Sequence, residues 1–266
     1  MTTRRDTDGH DAVAGIDTEA EISRSLGDPA DYPGWWRTHT VLADGATVEI
    51  RPIKPSDRDA LAAFHRRQSK ESVYFRFFQP RPELSNRELD FFTRVDYRSR
   101  MAFVAIEGGE LMAVARYESG TTFDPSTDNE SEDDGPRPGP TAAEVAFFVD
   151  DANHGRGLAT LLLEYLAAAA RANGLSEFTA SVLPENYRML GVFRAAGFTA
   201  TTRFADGVIE VSINLRPTAE AVSTIAVRRQ RATHRSLGPL LDPEVVAIVG
   251  AGRRPGSLGH ELLMSA

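Results

Sequence analysis

Apolar positions recur along this chain with two different periods, and the alternation between them lays out the elements. Over T-V-E-I-R-P, residues 47 to 52, they alternate as in a half-buried strand. P-S-D then opens a helix, with Ser56 as its expected N-cap and a body from Asp57 to Arg67. A short helix is expected around Glu71 to Phe77 and another from Ser85 through Phe92. Met101 to Ile106 and Leu111 to Tyr117 read as strands joined by E-G-G-E, whose Gly-Gly pair signals a hairpin. Ala143 to Val149 is apolar on both faces, as a central strand must be. After it Leu158, Leu161, Leu162, Tyr165, Leu166 and Ala169 fall on one helical stripe, stopped at Asn173-Gly174. A strand from Phe178 to Leu183, a helix from Asn186 to Ala196, and a hairpin of Phe198–Phe204 with Val208–Leu215 around Asp206-Gly207 complete the series.

This order of hairpins and crossover helices predicts an α/β domain, a single mixed, mostly antiparallel twisted sheet with helices on both faces, over residues 34–216. Tyr32-Pro33-Gly34-Trp35-Trp36 marks the entry into structure; adjacent tryptophans can form a ligand platform but more often pack an N-terminal arm on the domain. Residues 1–33 are acidic and without periodicity, which predicts a disordered tail. Residues 118–140, rich in proline and acids, form an inserted surface loop. Residues 217–240 read as a basic linker containing R-R-Q-R. In residues 241–266, V-V-A-I-V-G resumes as one buried parallel strand.

Charge refines this picture. The net −8 is unevenly spread: residues 1–31 contribute −5 and residues 118–134 contribute −7, so the rest of the chain carries +4. A mildly basic folded part suits an anionic ligand. With no cysteine there is no disulfide, thiolate nucleophile or thiolate metal ligand, and the six histidines form no paired motif, so no metal is expected. No window approaches a membrane span, and the N-terminus lacks an apolar signal segment; the expectation is a cytoplasmic protein bound to neither membrane nor nucleic acid.

The chemistry concentrates in E-V-A-F-F-V-D-D-A-N-H-G-R-G-L-A, residues 144 to 159. Gly155, Gly157 and the small Ala159 let a backbone approach a ligand closely. The unpaired amides of the following helix's first turn, with its dipole, make an anion site. No Lys-Ser/Thr follows the glycines and the spacing is not G-x-G-x-x-G, which argues against a triphosphate loop and a dinucleotide fingerprint.

H-G-R-G-L-A resembles the R/Q-x-x-G-x-G/A signature of the GNAT family of N-acetyltransferases, and the resemblance extends over residues 45–216, element order included. It implies that His154, Gly155, Arg156, Gly157, Leu158 and Ala159 grip the pyrophosphate of acetyl-CoA, with His154 departing from the usual Gln or Arg. It further implies that Phe148 and Val149, in the preceding strand, run beside the thioester, an amide there polarising its carbonyl. A-A-E-V-A-F-F-V-D-D resembles the bacterial protein-lysine acetyltransferase branch, in which the Glu, here Glu144, acts as general base. Chemistry explains the need: a lysine of pKa about 10.4 is neutral in only roughly 1 molecule in 2,500 at pH 7, a penalty near 4.6 kcal/mol.

L-P-E-N-Y-R-M-L-G-V-F-R-A-A-G-F resembles the family's later motif. Asn186 matches the residue that meets the pantetheine arm or caps the helix. Phe193 stands where relatives often carry a Tyr that protonates the leaving thiolate. S-V-Y-F-R-F-F-Q-P, residues 72 to 80, resembles an acceptor-side stretch of the same branch, although such aromatics also build cores. The C-terminal V-V-A-I-V-G-A-G-R-R-P-G-S-L-G resembles the start of the CoA-binding domain of NDP-forming acyl-CoA synthetases, an incomplete Rossmann-like fragment. The expected partner is a protein lysine substrate, possibly an acyl-CoA synthetase. The alternatives are acetylation of a small-molecule amine and a non-catalytic acyl-CoA-sensing module.

Overall fold

Each strand pairs mainly with its sequence neighbour, which is how this chain builds a wide sheet from short connections. The computed structural model describes residues 28–120 and 141–241, with side chains described to residue 234. The eight strands are β1 (Thr38–Val41), β2 (Thr47–Pro52), β3 (Arg100–Glu107), β4 (Glu110–Glu118), β5 (Ala142–Val149), β6 (Glu177–Val182), β7 (Thr199–Ala205) and β8 (Val208–Asn214). They lie in the order β1-β2-β3-β4-β5-β6-β8-β7. Every neighbouring pair is antiparallel except β5 with β6. The helices are α1 (Arg58–Arg66), α2 (Lys70–Phe77), α3 (Asn86–Thr93), α4 (Leu158–Ala172), α5 (Tyr187–Ala195) and α6 (Ala219–Leu241). This is the mixed, mostly antiparallel sheet that the pattern of strands and helices predicts.

Side chains alternate across a strand, so the central strands feed two cores. Met101, Phe103, Ala113, Ala115 and Tyr117 join α4, through Leu158, Leu162 and Leu166, in the larger core. Ala102, Val104, Val114 and Phe148 face Leu61, Phe64, Leu89 and Phe92 of α1 and α3 in the smaller one. Two-sided burial is why β3, β4 and β5 read as nearly unbroken apolar runs.

The N-terminal arm packs through Tyr32, whose hydroxyl donates to the Pro52 carbonyl (3.0 Å), and Trp36, set edge-on to Phe103; Trp35 is exposed. The expected cap at Ser56 is displaced by one residue. Asp57 accepts from the Lys54 N–H (2.9 Å) and holds the turn before α1, while its carboxylate takes a bidentate contact from Arg51 (2.6 and 2.7 Å). Ser85 caps α3 in a reciprocal box with Glu88.

Residues 219–241, read from sequence as part of a basic linker, form the helix α6. Arg228 pairs with the buried Glu164 of α4 and donates to the Ala195 carbonyl at the end of α5 (2.8 Å). The expectations for residues 1–27, 121–140 and 242–266, covering most of the acidic tail, the acidic loop and the C-terminal fragment, lie outside the described residues.

Candidate active site

The site begins where the sheet splits. Parallel pairing of β5 with β6 is confined to Ala142 with Glu177, Ala143 with Phe178 and Glu144 with Thr179, and beyond Glu144 the strands diverge. On its other edge β5 stays paired with β4 to Val149, and the Asp150 N–H donates to the Met112 carbonyl (2.9 Å). Backbone groups of an antiparallel strand alternate between its edges. From the Asp150 bond backward, Phe148, Ala146 and Glu144 bond toward β4, Val145 faces β6 where the parallel pairing ends, and Val149 and Phe147 turn their groups into the gap. A cavity of about 770 Å³ fills that gap, lined by β5, β6, the glycine loop, α2 and α5.

Phe148, expected beside the thioester, lines the cavity, but its backbone faces the other edge of the strand. Its amide belongs to the β4 ladder, and its ring packs in the smaller core against Phe64 (5.2 Å) and Phe77 (6.0 Å). Phe147 and Val149 offer the cavity-facing amides instead.

The glycine loop forms the floor. Gly155 (φ 81°) and Gly157 (φ 88°) both occupy the left-handed region that an L side chain resists. They bring the chain from β5 into α4, so that Leu158, Ala159 and Thr160 line the cavity. Their N–H groups, at the helix start, find no acceptor among the described residues. The two acids before the loop strap it to the helical face. Asp150 pairs with Arg67 and accepts from the Ala152 N–H, and Asp151 accepts from the Ser69 N–H (2.6 Å) and the Ser72 hydroxyl. Burial would raise both carboxyls, but these hydrogen bonds outweigh it and hold them below the usual carboxylate range.

Arg156 faces away from the cavity. Its guanidinium contacts Asp44 (2.5 Å), Glu107 (2.8 and 3.0 Å) and Asn153 (2.6 Å), clamping the loop to the β1–β2 and β3–β4 turns. The Arg156 hydrogen bond holds the Glu107 carboxyl below its ordinary range. His154 lines the cavity with both ring nitrogens engaged: Nε2 lies 3.1 Å from the Val149 carbonyl and Nδ1 lies 2.8 Å from Arg188 Nη1. These partners fix the neutral tautomer with the proton on Nε2, donating to the carbonyl while Nδ1 accepts from Arg188. Asp151 lies 3.8 Å from Nε2.

Glu144 is exposed, lines the cavity and stands at the fork. It is paired across β4 with Glu118. On the same face lie Arg116, buried above the Phe92 ring (4.0 Å) and lowered by burial to about 9, and Arg76 of α2, also lowered by burial against the pull of Glu118 and Glu144. Asn186 caps α5 by accepting from the Met189 N–H (3.1 Å) and also lines the cavity. Phe193 is buried against Phe147 (6.0 Å) and carries no hydroxyl.

The model of the acetyltransferase (GNAT) family matches residues 65–198, a span that includes the fork and the glycine loop. The chain belongs to the GNAT family. It is an acetyl-CoA-dependent N-acetyltransferase. An acetyltransferase of Pseudomonas aeruginosa is 31% identical over 165 residues, covering 59% of this chain and 77% of that protein. The acetyltransferase Pat of Mycolicibacterium smegmatis is 28% identical over 176 residues, and the match covers 65% of this chain and 47% of Pat. The solved GNAT domain of S. lividans PAT is 41% identical, covers 69% of this chain and 99% of that domain, and superposes with a TM-score of 0.60.

Within this GNAT site the structure brings together Glu144, Phe148, Val149, His154, Gly155, Gly157, Leu158, Ala159 and Asn186, and leaves the Arg156 side chain outside. Sequence reasoning missed Arg76, Arg116, Glu118 and Arg188. Arg76 and Arg188 carried a signal, a charge inside an apolar run and a charge just past a helix cap.

Among the described residues no cluster of His, Cys, Asp or Glu could hold a metal. No helix among them is long and apolar enough to cross a membrane.

Proposed function

We propose that this GNAT enzyme acetylates lysine side chains of protein substrates by direct transfer, with Glu144 as general base. The observation that carries the reading is the place of Glu144. It is the last β5 residue paired with β6, at the apex of the cavity whose other end is the glycine loop. The acyl donor would lie along the unpaired edge of β5, its pyrophosphate on the first-turn amides of α4. The acceptor ammonium gives a proton to Glu144, directly or through one water, and the free amine attacks the thioester carbonyl carbon. A cavity-facing amide of Phe147 or Val149 stabilises the developing oxyanion. The carbon–sulfur bond then breaks, leaving an amide and the CoA thiolate. Phe193 has no proton to give, so the thiolate leaves unaided or is protonated by water. Two of the similar proteins bear the names Pat and PAT, which supports a protein acceptor.

Arg76 favours a second reading, a small amine bearing a carboxylate. It lines the cavity, stacks on Phe77 (4.8 Å), and donates to no acceptor among the described residues. Acceptor competition separates the two. A purified AMP-forming acyl-CoA synthetase and a panel of free amino acids and amines are offered with acetyl-CoA, and products are read by intact mass. Acetyl groups on synthetase lysines support the protein acceptor. Acetylation of amino acids alone replaces it with the small-amine reading.

A further inference from the structure

The glycine loop's own arginine is committed elsewhere, so the cation for the donor's phosphates must come from another element. Arg156 is held by two carboxylates and an amide oxygen on the far side of the loop. Arg188, in the first turn of α5, lines the same cavity wall as His154, Gly155, Gly157 and Ala159. It is exposed, and one of its nitrogens is engaged by His154 Nδ1 at 2.8 Å. His154 is in turn anchored through Nε2 to the Val149 carbonyl, on the strand edge that faces the cavity. A histidine set between a strand carbonyl and an exposed arginine orients the guanidinium and leaves its remaining N–H donors free. With Arg156 turned away, the arginines lining the cavity are Arg76 of α2 and Arg188, and Arg188 is the one that touches the glycine-loop segment, through His154.

We infer that Arg188 binds a phosphate of the acyl donor and that His154 is its positioning residue. The inference rests on the donor lying against the glycine loop, but not on the lysine acceptor or on Glu144. It also accounts for His154 standing where the family signature has Gln or Arg: here the ring does not meet the donor itself but aims the arginine that does. Glutamine can make the same pair of contacts, accepting from Arg188 through its oxygen and donating to Val149 through its nitrogen. Alanine can make neither.

The test uses the full chain and measures CoA affinity by calorimetry and donor KM and kcat by steady-state kinetics. A guanidinium–phosphate contact of roughly 1.5–3 kcal/mol corresponds to about 10- to 150-fold. Arg188→Gln should weaken CoA binding and raise the KM for acetyl-CoA by that factor, with kcat at saturating donor changing far less. His154→Ala should move KM in the same direction, and His154→Gln should restore it to near the wild-type value. Acetyl-pantetheine, which has no phosphate, should show no penalty from Arg188→Gln. Acetyl-dephospho-CoA locates the contact: a penalty retained with it assigns the pyrophosphate, and a penalty lost assigns the 3′-phosphate. Unchanged CoA affinity in Arg188→Gln, or an equal penalty with acetyl-pantetheine, overturns the inference. Because CoA binding involves no acceptor, these outcomes stand whether or not the protein-lysine reading survives.

Discussion

Glu144→Gln is expected to lower kcat by about 10²- to 10³-fold while leaving acetyl-CoA affinity nearly unchanged, because removal of a positioned base costs the proton-transfer step and not the donor contacts. Glutamine keeps the size and polarity of the side chain at the fork but cannot accept the proton. The residual rate then depends on acceptor amine already deprotonated in solution. It should rise roughly tenfold per pH unit toward the lysine pKa of about 10.4, whereas wild type, with a base at the fork, rises less steeply. Glu118, directly across β4, is the nearest carboxylate by strand register and the group that could substitute. A Glu144→Gln, Glu118→Gln double variant that loses far more activity than Glu144→Gln would show it doing so. Wild-type turnover by Glu144→Gln itself would remove Glu144 from the mechanism.

The largest stability effect is expected at Asp57. Arg51 and Asp57 are both buried and joined by two short hydrogen bonds, and Asp57 also satisfies the Lys54 N–H. Asp57→Ala leaves a buried guanidinium without its counter-charge, a change that costs about 3–5 kcal/mol. For a folded unit of this size that lowers Tm by roughly 10 °C. The same removal at the exposed Arg203–Glu210 pair, 75% and 44% accessible, is the internal comparison. Glu210→Ala should cost no more than about 1 kcal/mol. Thermal unfolding of both variants by calorimetry checks the pair; equal shifts would mean that the Arg51–Asp57 contact stabilises no more than a solvated one. Asp57 does not line the cavity, so Asp57→Ala should retain kcat at temperatures where it remains folded.

Most of the sheet was legible because two-sided burial writes itself as β-branched and aromatic runs. β3 to β6 and α4 fall within a residue or two of their expected limits. β1 was not, since T-H-T-V is short and mostly polar and is made a strand by pairing with β2. α6 was read as linker because its basic stretch shows no apolar stripe; the ion pair of Arg228 with buried Glu164 is invisible without the fold.

The site was legible where its function depends on local backbone. Gly155 and Gly157 announce a left-handed turn wherever they stand. It was illegible where it depends on distant partners. Arg156 looks like a phosphate ligand until Asp44 and Glu107, 112 and 49 positions away, claim it. Phe148 and Phe147 are indistinguishable in sequence, and only the strand's edge assignment, fixed by the Asp150 bond to Met112, says which amide faces the gap. Arg188 lay beside the noticed Asn186 but gains its meaning from His154, 34 positions earlier.

Donor binding and catalysis both require that the acyl donor occupy the fork between β5 and β6. Amide hydrogen exchange with and without CoA tests it most directly. Slowed exchange is expected at the cavity-facing amides of Phe147 and Val149 and at residues 155–160, with the β1–β2 and β7–β8 hairpins unaffected. Protection confined to those hairpins, with exchange along β5 and the glycine loop unchanged, would contradict it.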